Sequence, residues 1–144
     1  MPAIIGEIRK GSTDESITLE ILDDTSFLQE TGVVYNTASL ALWYRRDGAA
    51  KTSITPVTLA SLTTAHTDGG FLHISDGSYR VDVPDAAFAT GVEKVVFGGS
   101  VPNMIIHSGT VNLIDEVAAV DVIPHLEINL TSTAGTAANL RIRS

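Results

Sequence analysis

The chain has 144 residues, enough for one domain with a short extension, and 44% of them are apolar, as expected of a chain that buries a core. Its net charge is −8 with 18% charged residues, so the Lys/Arg surplus that drives binding to a phosphate backbone is missing and no nucleic-acid partner is expected. The chain has no cysteine, which excludes disulfide frameworks, thiolate metal sites and cysteine nucleophiles together.

The first twelve residues lack the basic-then-apolar order of a secretory signal. No apolar run approaches the roughly 18 residues that span a bilayer, so no membrane partner is expected. A leading strand is predicted over 3–8. Ile17, Leu19 and Ile21 alternate with Thr18, Glu20 and Leu22, the period-two pattern of a half-buried strand, which ends at Asp23-Asp24. Leu40, Leu42 and Tyr44 alternate with Ala41, Trp43 and Arg45 in a second strand, closed by Asp47-Gly48. Residues 53–59 read as one threonine-rich strand, placed at an edge or bulged because Pro56 has no N–H to give a ladder.

Residues 69–99 carry the densest pattern. A strand around 71–74 runs into an Asp76-Gly77 turn, and Tyr79, Val81 and Val83 alternate with Arg80 and Asp82. Pro84-Asp85 stops that strand, Asp85 is placed to cap a short Ala-rich turn, and Gly91 ends the turn. Residues 95–97 resume as a strand closed by Gly98-Gly99, which are read as turn glycines. Residues 104–113 read as the last core strand. About seven strands with turns between them predict an all-β, immunoglobulin-like two-sheet β-sandwich over 1–114.

Residues 115–144 read as a C-terminal β extension. Its 115–122 stretch is either one or two helical turns or an extended linker. Leu126, Ile128 and Leu130 then alternate with polar residues, as do Leu140 and Ile142 with Arg141 and Arg143. Two lone strands are marginal in water. Those five apolar residues are therefore expected to act in assembly, by adding strands to a neighbouring sheet.

Catalytic and metal chemistry find no foothold. His66, His73, His107 and His125 show no metal-ligand spacing, although His73 and His107 lie on predicted strands that could approach each other across a sandwich. The acid pairs Asp14-Glu15, Asp23-Asp24 and Asp115-Glu116 lack the alternating pattern of a calcium loop and read as strand-end solvation. Nucleophile and phosphate-loop motifs are absent, so no enzyme activity, cofactor or small-molecule substrate is expected. Asn129-Leu130-Thr131 matches a glycosylation acceptor, read as chance. Trp43 is read as the central core tryptophan of a sandwich, against the competing reading of a platform for stacking a sugar.

Three motifs occur in order: Tyr35, Asn36, Leu40, Tyr44 and Arg46; then Gly69, Gly70, Phe71 and Ile74; then Tyr79, Arg80, Asp82, Pro84, Asp85, Ala86, Ala89 and Gly91. Together they resemble a module of tailed-phage structural proteins, similar in layout to the immunoglobulin-like N-terminal domain of phage upper baseplate proteins. The resemblance covers about 17–113. It implies a non-enzymatic virion structural protein, made in the host cytoplasm and placed in capsid decoration, tail or baseplate. Other virion proteins and copies of itself in a homo-oligomer would be its partners. The alternative is a carbohydrate-binding or host-adhesion β-sandwich module.

Overall fold

The structure is a computed structural model that describes residues 3–115, 127–131 and 139–143, with side chains over 6–115. Twelve strands lie among the described residues. Ten of them form two five-stranded sheets. The first sheet contains β1 (Ala3–Arg9), β10 (Gly109–Ile114), β8 (Lys94–Ser100), β3 (Ala41–Arg46) and β4 (Thr52–Ile54), in that spatial order. The second contains β5 (Val57–Thr58), β6 (Gly70–Ser75), β7 (Ser78–Asp82), β2 (Ser16–Asp23) and β9 (Met104–Ile106). With β2, β3, β4, β6, β7, β8 and β10 taken as B, C, C′, D, E, F and G, the sheets read G-F-C-C′ and D-E-B, the immunoglobulin-like order.

Alternation builds the core. Ile17, Leu19 and Ile21 of β2 and Phe71, Tyr79 and Val81 of β6 and β7 are buried, as are Leu42, Tyr44, Val95, Phe97, Val111 and Leu113 of the other sheet. Phe71 stacks on Tyr79 with ring centroids 5.1 Å apart, and Phe97 tilts against Tyr44 and Phe88 at 6.4 and 5.8 Å. Asp76 and Gly77 both take positive φ, as the two-residue β6–β7 turn requires.

Two predicted strands divide. Residues 53–59 break at Thr55-Pro56 into β4 and β5, which sit at edges of different sheets. Residues 104–113 break at His107-Ser108 into β9 and β10, also on different sheets. A chain that crosses from one sheet to the other keeps its β-rich composition, so composition does not mark the crossing.

Three smaller expectations are corrected. Gly98 and Gly99 lie inside β8 and make no turn. A Cβ on Gly98 would stand 2.5 Å from Trp43 Cζ2, so the missing side chain is what lets the indole lie across the strand. Trp43 is therefore half-buried on the outer face of its sheet and is no core residue. Asp85 opens the short 3-10 helix Asp85–Phe88 without capping it, and its Oδ1 accepts the Asp14 amide at 2.8 Å.

Asp82 lies on the outer face of β7 yet is 0% exposed, because the 59–69 segment covers it. Its carboxylate accepts from Arg80 Nε at 2.7 Å, Arg80 Nη2 at 2.9 Å, Ser16 Oγ at 2.6 Å and the Thr67 amide at 3.0 Å. Arg80 also donates to the Leu62 carbonyl at 2.7 Å. The Arg80–Asp82 pair thus ties a polar loop to the sheet.

Candidate interaction surface

The β2–β3 connection, residues 24–40, is largely polar, with three Thr and two Ser, yet it carries four of the large apolar side chains that the fold leaves exposed. Phe27 is 63% and Leu28 69% exposed, and Val34 and Tyr35 follow at 52% and 40%. Scattered exposed apolar residues are normal in folded proteins, and four on one loop single that loop out as a candidate contact surface.

The tip is braced. Asp23 Oδ1 accepts from the Thr25 amide at 3.0 Å, the Ser26 amide at 2.6 Å and Ser26 Oγ at 2.8 Å. The Phe27 amide donates to the Asp23 carbonyl at 3.0 Å, and the Asp23 amide to the Leu28 carbonyl at 2.9 Å. Bonds from Ser26 and Thr25 hold the Asp23 carboxyl below its ordinary range, the Ser26 amide contributing most. Phe27 itself sits at φ 59°, a left-handed conformation that costs a non-glycine residue about 1–2 kcal/mol. A strained, exposed aromatic on a closed turn makes this tip a candidate recognition element.

Neighbouring turns close in on the tip. The Asp24 amide donates to the Asn103 carbonyl, and a Cβ on Gly77 would meet Gln29 Cβ at 2.8 Å. The β2–β3, β6–β7 and β8–β9 connections therefore gather at one end of the sandwich. Behind the tip, Val33 is buried and its amide donates to the Tyr79 hydroxyl. A cleft of about 110 Å³ opens beside this anchor, lined by Val34, Tyr35, Phe71, Leu72 and His73 among others. His73 lies 5.0 Å from the Tyr79 ring, and its buried Nε2 has no hydrogen-bond partner.

Of the residues expected to act in assembly, Leu126 lies outside the described residues, as does the 116–122 part of the predicted linker. The other four lie on β11 (Glu127–Thr131) and β12 (Asn139–Arg143), an antiparallel pair forming its own two-stranded sheet. Ile128 pairs with Ile142, and Leu130 with Leu140. His73 and His107 are not brought together, because β7 and β2 lie between β6 and β9. His107 Nδ1 instead approaches Glu20 at 3.2 Å. His125 lies outside the described residues. Among the described residues, no group of three or more His, Asp or Glu side chains is placed to hold a metal ion.

A strand-by-strand reading of the sequence misses the Phe27-Leu28 tip. Its signal is two large apolar residues in succession inside a run of turn formers, Asp-Asp-Thr-Ser before them and Gln-Glu-Thr-Gly after. Comparisons with protein-family models, with curated proteins and with solved structures yielded no match.

Proposed function

We propose that this chain is a non-enzymatic structural protein of a phage virion that works through protein–protein contacts, in capsid decoration or in the tail or baseplate. The observation that carries the contact reading is the braced tip, where Phe27 and Leu28 stand outside the core on a turn held by Asp23. Covering the two side chains would contribute roughly 3–5 kcal/mol, enough to anchor one contact in a repeated array. The virion assignment draws on the three ordered motifs between Tyr35 and Gly91, within a resemblance covering about 17–113. A cysteine-free β-domain with pairing strands in its extension suits assembly as a closed, symmetric homo-oligomer.

The test is particle incorporation of a Phe27→Ser/Leu28→Ser variant. Expected is at least a tenfold drop in particle-bound chain with circular dichroism and Tm unchanged. Undiminished incorporation, or purified phage particles without the chain, would defeat the proposal.

The outward placement of Trp43 favours a second reading, a carbohydrate-binding module. Lys51 Nζ lies 4.2 Å from the centroid of the indole ring, so a sugar stacking there would displace or share with that ammonium. Quenching of Trp43 fluorescence by an oligosaccharide, strengthened in Lys51→Ala, would favour this reading.

A further inference from the structure

Strand β9 covers only part of β2. It pairs with Ile21, Leu22 and Asp23, and the last rung is the His107 amide donating to the Glu20 carbonyl at 3.0 Å. The chain then crosses to β10 in the other sheet. Among the described residues, nothing pairs with 16–19 on that side. Backbone direction alternates along a strand: the Ile21 amide faces Gly77 and the Glu20 carbonyl faces His107. The N–H and C=O groups of Ser16 and Thr18 therefore point to the uncovered side.

This open edge borders a cleft of about 520 Å³ between β2 and the edge strand β1. Its apolar lining is Ile8, Ile17 and Val111, and the charged side chains lining it are Glu7 and Glu15. A strand entering here needs alternating apolar residues for the cleft and basic residues for the two carboxylates. Strand β12 reads Asn-Leu-Arg-Ile-Arg, so it holds two of the nine Lys and Arg residues of this acidic chain within five positions. Four free residues of β2 span about 13 Å, which a five-residue strand matches.

We propose that β12 of a second copy adds to the free 16–19 edge of β2, setting the charges of Arg141 and Arg143 against Glu7 and Glu15. The inference rests on the assembly reading and gives it an acceptor and a donor within one chain. Backbone pairing supplies attachment, and the two carboxylates reject strands that lack positive charge. Because donor and acceptor are different surfaces, exchange closes either as a reciprocal dimer or as a ring.

The experiment uses the full chain in light scattering over a dilution series, with amide exchange followed at Thr18. Association is expected, with Thr18 protection rising with concentration. R141E/R143E should weaken it at least tenfold, and adding E7K/E15K should restore it. Thr18→Pro removes the outward N–H while leaving the β7-facing amides of Ile17 and Leu19 in place, and should abolish it with the fold, checked by circular dichroism, retained. A wild-type chain monomeric at about 1 mM, association indifferent to charge reversal, or Thr18 protection independent of concentration (the chain's own hairpin in place) would each overturn the proposal. Particle incorporation of the Phe27→Ser/Leu28→Ser variant is a separate readout, so the virion reading and the edge-pairing reading can fail independently.

Discussion

The Tyr79 hydroxyl donates to the Glu30 carbonyl at 2.7 Å and accepts the Val33 amide at 3.2 Å, so one core side chain anchors the loop that carries the exposed tip. The ring is fully buried and stacked on Phe71, and burial pushes its hydroxyl pKa up. Tyr79→Phe keeps the ring and strands two backbone groups. We expect a loss of about 1–3 kcal/mol in urea unfolding with unchanged m, and faster amide exchange at Val33. Since the folded pKa is raised, this contribution is complete below the ordinary tyrosine value near pH 10 and is lost as pH rises through the folded value. The Tyr79→Phe variant should lack that alkaline limb.

Asp82 gives the opposite pH signature. Burial pushes its carboxyl up, but the bonds from Arg80, Ser16 and Thr67 outweigh burial and leave the pKa lowered. The stabilisation is therefore full above the unfolded carboxylate value near 3.9 and disappears as pH falls through the folded value. Asp82→Ala leaves Arg80, 14% exposed at its side chain, without its carboxylate and should cost about 3–5 kcal/mol. Acid unfolding of Asp82→Asn should show a shallower limb than the wild type, measured by circular dichroism between pH 5 and about pH 2.

Alternation makes β2, β3 and β7 legible in the sequence, while β6 is marked by its aromatic and β-branched residues and the Asp76-Gly77 turn that follows. The same alternation sets Trp43 with Ala41 and Arg45, opposite Leu42 and Tyr44. Analogy with other sandwiches places Trp43 in the core, whereas the local alternation places it on the outer face, where it lies. Sheet crossings at Thr55-Pro56 and His107-Ser108 leave no such mark in the sequence. They depend on which sheet each half joins, a long-range pairing that period-two patterning does not encode. The Phe27-Leu28 tip escapes a reading built on periodic segments, because exposed residues on a turn have no period.

The Trp43–Gly98 packing makes its own prediction. Gly98→Val would drive the indole off β8, since even a Cβ there stands 2.5 Å from Cζ2. The emission maximum of this sole tryptophan should shift to the red, with a stability loss of about 1–3 kcal/mol. The buried rings Phe71, Tyr79 and Phe97 lie on the inner face, so near-ultraviolet signals from the core should persist. An unshifted maximum would mean that the ring does not rest on Gly98.

Phe27 offers the sharpest separation of stability from contact. Its φ of 59° is left-handed, which glycine adopts without a Cβ clash. Phe27→Gly therefore relieves strain while removing an exposed ring that contributes little to the core, and the glycine's extra chain entropy offsets part of the gain. We expect the variant to be as stable as the wild type or more stable by up to about 1 kcal/mol, yet to lose at least tenfold in partner contact. Asp23→Ala should act through the same tip by a different route, leaving Phe27 in place but freeing the Ser26 amide, seen as faster exchange at Ser26 and Phe27. The Asp23 carboxyl is held low by its hydrogen bonds, so tip order in the wild type should be complete above the ordinary carboxylate range and fade as pH falls through the lowered value. If Phe27→Gly destabilised the fold as much as a core truncation, the ring would be structural, and the reading of the tip as a contact surface would fail with it.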